Sequence, residues 1–277
     1  NYSLQSLIRV RLHEYRVTRK GKAYRLIDRI GQQSDGTWVF RSSQFDRHGE
    51  PTTEEKSLWV WNPEITGEET YFKCPVIHEQ TPDALKNLVD AMQRAFGSNF
   101  APALLTLGYA AAGVNYQEIQ EKEGSFPILN LYGDPGSGKT TAAECALSLV
   151  GQHKEGMMVE VSVSAAYERL KLAGGLLHCL DDPKRDENLD EFLKGFYNAK
   201  ARVVRGREST GFNSQKPHSP LMVTSNHACG ENSAATQSRL IRIFFPKVED
   251  GERDAFRELP GLQAIASGCF TQLIQLG

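Results

Sequence analysis

Gly133-Asp134-Pro135-Gly136-Ser137-Gly138-Lys139-Thr140 decides how this chain is read. The eight residues satisfy G-x-x-x-x-G-K-[ST] at every fixed position. A random chain of this length would show that pattern roughly once in a hundred. Its setting removes most of that chance. An apolar run, Ile128-Leu129-Asn130-Leu131-Tyr132, leads into it, and Thr140–Val150 has the character of a helix. Each residue type has a job in such a loop. The glycines let successive backbone N–H groups turn onto phosphate oxygens. The start of the following helix adds partial positive charge. Lys139 brings an ammonium to the β- and γ-phosphates, and the Thr140 hydroxyl completes the shell of a Mg²⁺. The alternative is a glycine-rich structural turn.

Downstream, strands alternate with helices. Val159–Val163, Leu176–Leu180, Leu221–Thr224 and Ile241–Phe245 read as strands, and Ala165–Leu172 and Leu189–Tyr197 as helices. That alternation predicts an α/β fold with a mostly parallel, covered sheet. No repeat is visible at a period of 20–50 residues.

Two of these strands end in chemistry. Leu176-Leu177-His178-Cys179-Leu180-Asp181-Asp182 ends in paired acids, and the C-terminal edge of a parallel sheet is where ligands bind. Asp181 can hold Mg²⁺ through its water shell, and Asp182 can orient an attacking water. A plain turn, made easy by Pro183, is the competing reading. His178 reads as a core residue of that strand rather than a base. Leu221-Met222-Val223-Thr224-Ser225-Asn226 ends in an amide. Asn226 reaches the γ-phosphate if its strand lies beside that of Asp181; otherwise it makes an Asx turn. Arg239 closes a short helix just before the last strand, from where it can project to a neighbouring subunit. Arg242 is the second choice, and an exposed ion pair is the alternative for either.

Between the acids and the amide, charge is segregated. Residues 181–191 hold six acids, whereas residues 194–218 hold Lys194, Lys200, Arg202, Arg205, Arg207 and Lys216 against Glu208 alone. Ala201–Arg207 looks like a strand and tight turn. Such a basic hairpin suits a phosphate backbone, with Phe212 available to stack on a base. A solvated loop is the other possibility.

Upstream, residues 1–80 read as a small antiparallel β-unit. Ile8–Leu12, Arg25–Ile30, Trp38–Phe40, Leu58–Trp61 and Thr70–Phe72 are its strands, separated by glycine turns. The first 30 residues carry eight Lys/Arg and two acids, either a solvated strand face or a nucleic-acid contact. Thr81-Pro82-Asp83 then predicts a helix start with Thr81 as cap. Leu85, Leu88, Val89, Met92 and Phe96 share one face, and Gly97 closes the helix. Ala103–Ala112 is a second helix ending at Gly113, and the polar Gln117–Gly124 reads as a linker. The division is therefore residues 1–80, 81–125, 126–250 and 251–277, the last a helical segment.

Composition bounds the function. With 277 residues, 40% hydrophobic and 24% charged, the chain is globular, not disordered, collagenous or coiled-coil. A formal charge of −2 argues against a wholly basic nucleic-acid binder but allows a local basic channel. Five scattered cysteines without a C-x-x-C pair indicate neither a zinc ribbon nor a disulfide framework and fit a reduced compartment. Ala101–Gly113, the longest apolar stretch, falls short of the roughly 20 residues of a membrane helix. The chain opens on Asn1-Tyr2-Ser3 and stops inside the apolar-periodic run Phe270–Leu276, as a fragment of a longer protein would.

In order and spacing, Gly133–Thr140, Leu176–Asp182, the basic insert near Arg202–Arg207, Thr224-Ser225-Asn226 and Arg239 resemble the superfamily 3 helicases of the AAA+ class. The likeness covers about Phe126–Pro246 and is greatest to helicase or primase-helicase domains of plasmids, phages and mobile elements. It implies an AAA+ P-loop NTPase fold that uses ATP and Mg²⁺. ATP would be bound by Gly133, Asp134, Pro135, Gly136, Ser137, Gly138, Lys139, Thr140 and Thr141. Lys139 and Thr140 would be the Walker A pair, and Asp181 and Asp182 the Walker B pair, with Thr140 and Asp181 on the metal. Asn226 would be the sensor and Arg239 the finger. Arg202, Arg205, Arg207 and Lys216 would contact DNA, single-stranded or forked. The family works in replication as a homo-oligomeric ring, commonly a hexamer, without a membrane, in a bacterial cytoplasm or a eukaryotic or viral nuclear setting. The chain departs from the wider class in having Asp182 where many relatives carry Glu. Its insert also lacks a lysine-aromatic-histidine signature. A non-translocating AAA+ switch or loader, and a small-molecule kinase, are the competing functions.

Overall fold

The computed structural model describes residues 17–19, 22–65, 73–81, 83–184, 187–199, 202–205, 212–247 and 250–276. Of the expected N-terminal strands, Trp38–Phe40 and Leu58–Trp61 form in part and Arg25–Ile30 is split between two strands, while Ile8–Leu12 and Thr70–Phe72 lie outside the described residues. β1 (Val17–Arg19) and β2 (Lys22–Leu26) make an antiparallel hairpin. β3 (Ile30–Gln32), β4 (Trp38–Val39) and β5 (Gln44–Phe45) form a meander. β6 (Trp59–Val60) then runs parallel to β2, so the unit is not wholly antiparallel as expected. Asp35 holds the Ser34–Gly36 turn to β6: its carboxylate accepts the Thr37 N–H at 3.0 Å and the Trp59 indole N–H at 2.8 Å.

Helix α1 (Ala84–Phe96) buries Leu88, Met92 and Phe96, the expected face. Its start differs from expectation. Asp83 precedes the first turn in the left-handed region, at φ 62°, which a short polar side chain tolerates. The Thr81 hydroxyl donates to the Glu79 carbonyl and caps nothing. Gly97 does close α1. Helix α2 (Phe100–Val114) runs past both expected ends; Gly113 does not stop it but makes room for Pro220, which a Cβ there would meet at 2.8 Å. The expected linker is helix α3 (Tyr116–Glu123). Buried Tyr116 anchors it on the Phe126 ring, Glu118 and Lys122 pair at 2.6 Å one turn apart, and Gly124 ends it in the left-handed region. Polarity there marked a solvated helix face, not a loop.

The remaining elements are β7 (Ile128–Gly133), α4 (Lys139–Leu149), β8 (Met157–Val159), α5 (Val163–Lys171), β9 (Ala173–Gly174), β10 (His178–Asp181) and α6 (Glu187–Tyr197). They continue with β11 (Arg202–Arg205), β12 (Phe212–Gln215), β13 (Leu221–Ser225), α7 (Ala234–Gln237), β14 (Leu240–Phe245), α8 (Arg253–Gln263) and α9 (Phe270–Gln275). Five strands form one sheet in the order β14-β7-β13-β10-β8, every pair parallel. The α/β fold with a parallel, covered sheet is therefore as expected. β7 and β13 lie inside it, and their near-continuous apolar runs match burial on both faces. The second strand lies earlier than expected, at Met157–Val159, and shares only Val159 with the expected Val159–Val163. After Val159 the chain leaves the sheet because Ser162 caps α5, its hydroxyl accepting the Ala165 N–H at 3.2 Å.

Apolar side chains cover both faces. One cluster joins α1, α2, α4 and α9 to the N-terminal sheet, where Trp38 meets Phe270 edge-on at 4.9 Å. The other sets Tyr167, Phe192 and Phe196 of α5 and α6 against Leu180, Leu221 and Val223. The α/β unit also lends β9 to the N-terminal meander, parallel to β3. Gly31 is required at that seam: at φ 93°, a Cβ would stand 2.3 Å from the Gly174 carbonyl.

Candidate nucleotide and metal site

β7 delivers the chain into the glycine loop. Gly133 sits at φ 142° under the Phe245 carbonyl, and a Cβ there would lie 2.1 Å from that oxygen. Gly136 and Gly138 are left-handed, at φ 77° and 93°, and α4 begins at Lys139. Asp134, Pro135 and Gly136 form the exposed lip of the loop, Ser137 is buried, and Thr140 and Thr141 start the helix. The buried Lys139 ammonium donates to the carbonyls of Gly133 at 2.8 Å and Asp134 at 2.7 Å. Burial lowers its pKa, and the charges of Asp182, Asp134 and Asp181 oppose that shift.

β10 and β13 lie side by side, with Asp181 level with Thr224. One Asp181 carboxylate oxygen accepts the Thr140 hydroxyl at 3.3 Å and the Thr224 hydroxyl at 2.5 Å. Asp182 turns out of the strand at φ 44°, a costly region for a non-glycine residue. Its N–H donates to the Thr224 carbonyl at 3.0 Å, and its carboxylate accepts from the Asn226 amide at 3.5 Å. Lys139, Thr140, Asp181, Asp182 and Asn226 thus converge on the C-terminal edge of the sheet.

Two residues of this constellation escaped the sequence reading. Thr224 was visible only as part of the strand end. Asn130 was the polar break in the run Ile128–Tyr132. Fully buried, its amide donates to the Val223 carbonyl at 3.2 Å and the Ser225 hydroxyl at 3.0 Å, and its oxygen accepts the Cys229 N–H at 2.8 Å. It locks β7 to β13 and fixes the turn beyond Asn226.

Arg239 is elsewhere. Its carbonyl accepts the Ile128 N–H at 3.1 Å, at the start of β7 and the far end of the sheet from the loop. Its guanidinium lies 5.5 Å from the Tyr197 ring centroid and donates to the Ala235 carbonyl. Arg242 is exposed on β14, level with Asn130. The backbones of Arg202–Arg205 and Phe212–Gln215 pair as an antiparallel hairpin, Arg202 level with Gln215 and Arg205 with Phe212. Arg207 lies outside the described residues, and Lys216 follows the hairpin on the surface. His178 is a core residue, as read. It is fully buried, its ring Nδ1 lies 2.9 Å from the Leu176 carbonyl, and burial pushes its pKa down to about 3. None of the five cysteines is in a disulfide. Among the described residues no helix is long and apolar enough to cross a membrane.

These features define a helicase-like α/β fold with a phosphate-loop motif at the sheet's ligand edge. Among solved structures the chain is similar to one described as "SCCmec type IV Cch - active helicase", with TM-score 0.56 and 16% identity over 95% of this chain and 46% of that one. It is also similar to the C-terminal region of NrS-1 (TM-score 0.46, 15% identity, 98% of this chain and 62% of that one). JCV helicase is a third (TM-score 0.36, 17% identity, 70% and 60%). The chain thus spans less than two thirds of each of these structures. No protein-family model matches it, and no curated protein does.

Proposed function

We propose that the chain is the ATPase motor of a superfamily 3-type DNA helicase of the AAA+ class, working as a ring with its sites completed between subunits. The observation that carries this reading is the split between the two ends of the sheet. Lys139, Thr140, Asp181 and Asp182 gather at one end, while Arg239 stands at the other, level with the start of β7.

The residues present fit ATP and Mg²⁺. The Thr140 hydroxyl and Asp181 carboxylate are hard oxygen donors 3.3 Å apart, the ligand type Mg²⁺ takes. Among the described residues the buried Lys139 ammonium has only neutral hydrogen-bond acceptors, so a polyphosphate offers it better partners. Bound Mg²⁺ would supply charge neutralisation on the phosphates. Lys139 would bind the β- and γ-phosphates. Asp182, held toward Asn226, would orient the attacking water. Arg239 would reach the phosphates of the next subunit, where a trans arginine stabilises developing charge. The hairpin of β11 and β12, with Arg202, Arg205 and Arg207, would grip the DNA backbone.

The test is strand separation on forked DNA alongside ATP turnover. The wild-type chain should unwind with ATP and Mg²⁺, and Lys139→Ala should do neither while melting as a folded protein. DNA-stimulated turnover without unwinding would replace this reading with the AAA+ switch or loader. Turnover retained by Lys139→Ala would sink the phosphate-loop assignment.

A further inference from the structure

The single turn between α1 and α2 lies directly beneath the glycine loop. Asn99, at its end, is 1% exposed. Its side-chain amide donates twice, to the Ser137 carbonyl at 3.1 Å and to the Pro246 carbonyl at 2.8 Å. Both amide protons are therefore used, and they fix which way the amide faces. One acceptor belongs to the phosphate loop; the other immediately follows β14.

Peptide planarity gives the first of these bonds a consequence. In a trans peptide the C=O of one residue and the N–H of the next point in opposite directions. No peptide bond among the described residues is cis. Drawing the Ser137 carbonyl down onto Asn99 therefore turns the Gly138 N–H away from the hinge, toward the open side of the loop. Among the described residues no backbone acceptor takes up that N–H. Gly138 itself is left-handed, and a Cβ on it would stand 2.9 Å from the ring of Phe96, the last residue of α1, so the end of that helix packs against the loop from below. The hinge is braced on its far side by Asp250, whose two carboxylate oxygens accept the Ser98 N–H at 2.9 Å and the Ser98 hydroxyl at 3.1 Å.

We propose that Asn99 is a positioning residue for phosphate binding, holding the Ser137–Gly138 peptide so that the Gly138 N–H is presented to the anion. The proposal rests on the nucleotide-binding reading above. It assigns to a residue outside the G-x-x-x-x-G-K-T motif the orientation of one of the motif's donors. Because the same amide also holds Pro246, the exit of β14 and the loop share one anchor.

The test compares Asn99→Ala with Asp250→Ala, which loosens the same hinge without touching the loop. Affinity for ATP is measured beside thermal stability for both and for the wild type. Asn99→Ala should lose about tenfold in affinity, the scale of one lost oriented hydrogen bond to a charged group. Asp250→Ala should stay within twofold of wild type. Equal losses in both variants, or an Asn99→Ala affinity within twofold of wild type, would overturn the proposal and leave the nucleotide reading standing. A wild-type chain that binds neither ATP nor inorganic pyrophosphate would overturn both. Should Asn99→Ala fail to fold, the ¹⁵N-labelled wild-type chain decides. Pyrophosphate should move the Gly138 amide proton downfield, and a Gly138 amide that stays put while those of Lys139 and Thr140 move refutes the assignment.

Discussion

Replacing Arg239 with alanine isolates the proposal that the nucleotide site is completed by a neighbour. β14 runs parallel to β7 with Leu240 level with Ile128 and Phe245 level with Gly133. Arg239 lies one residue before Leu240, so six steps separate it from the level of its own loop, about 20 Å. An extended arginine side chain reaches about 7 Å from its Cα. No rotamer closes the gap, and at that separation salt screens the charge within about 8–10 Å. If Arg239 serves the chemistry, it serves another subunit's phosphates. Arg239→Ala should then lose about 10³–10⁵ in turnover, the range for a trans arginine in phosphoryl transfer, while still binding ATP. The decisive assay mixes Arg239→Ala with Lys139→Ala before nucleotide is added. In an equal mixture, about one interface in four joins an intact Lys139 to an intact Arg239, because ring contacts are head-to-tail. Turnover should return to about a quarter of the wild-type level, far above either variant alone. Mixed rings demonstrated by mass but showing no recovered turnover would refute the reasoning.

Two further outcomes follow from the structure. Replacing Arg202, Arg205 and Arg207 together with alanine should spare basal ATPase and reduce the slope of log affinity against log salt by about 2 for single-stranded DNA, at roughly 0.7 per neutralised phosphate. An unchanged slope assigns these arginines to a solvated face. The second concerns pH. Burial holds the pKa of His178 and His218 down to about 3, against 6.5 when exposed. The folded chain therefore binds fewer protons than the unfolded chain between those values. Stability is fully present above pH 6.5 and falls as pH drops below it, by about 1.4 kcal/mol per pH unit for each histidine. Denaturant melts between pH 7 and 5.5, above the carboxylate range, should show this fall, and His178→Gln should remove about half of it. A variant with the wild-type slope would contradict the burial argument.

The parallel sheet was legible because its central strands are buried on both faces. Ile128–Tyr132 and Leu221–Thr224 have no solvent face to blur the pattern. The loop and the two strand-end acids were legible for a related reason: strand ends are where chemistry concentrates, and local order fixes them. Asn130 and Asn99 were not legible, since each is defined by what it touches across 93 residues and 38 residues of sequence. No local pattern distinguishes a buried amide that bridges backbones from one that caps a turn. The start of α1 was misread because Asp83 adopts a left-handed conformation that the pattern Thr-Pro-Asp does not announce. The hairpin was foreseen from its charge, yet pairing of β3 with β9 was not, for Ala173-Gly174 carries no strand signature.

That last pairing bears on how the molecule can be divided. A chain shortened to begin at Phe126 would keep the whole glycine loop, both acids and Asn226. It would also strip Ala173–Gly174 of its neighbour and uncover Phe270, which Trp38, Phe40 and Phe45 now surround. It would lose Asn99 and Phe96 from beneath the loop as well. Such a fragment would expose a bare strand edge and an aromatic surface, both invitations to aggregate. The smallest piece able to stand alone therefore reaches back at least to Ile30, about a hundred residues ahead of the chemistry it supports.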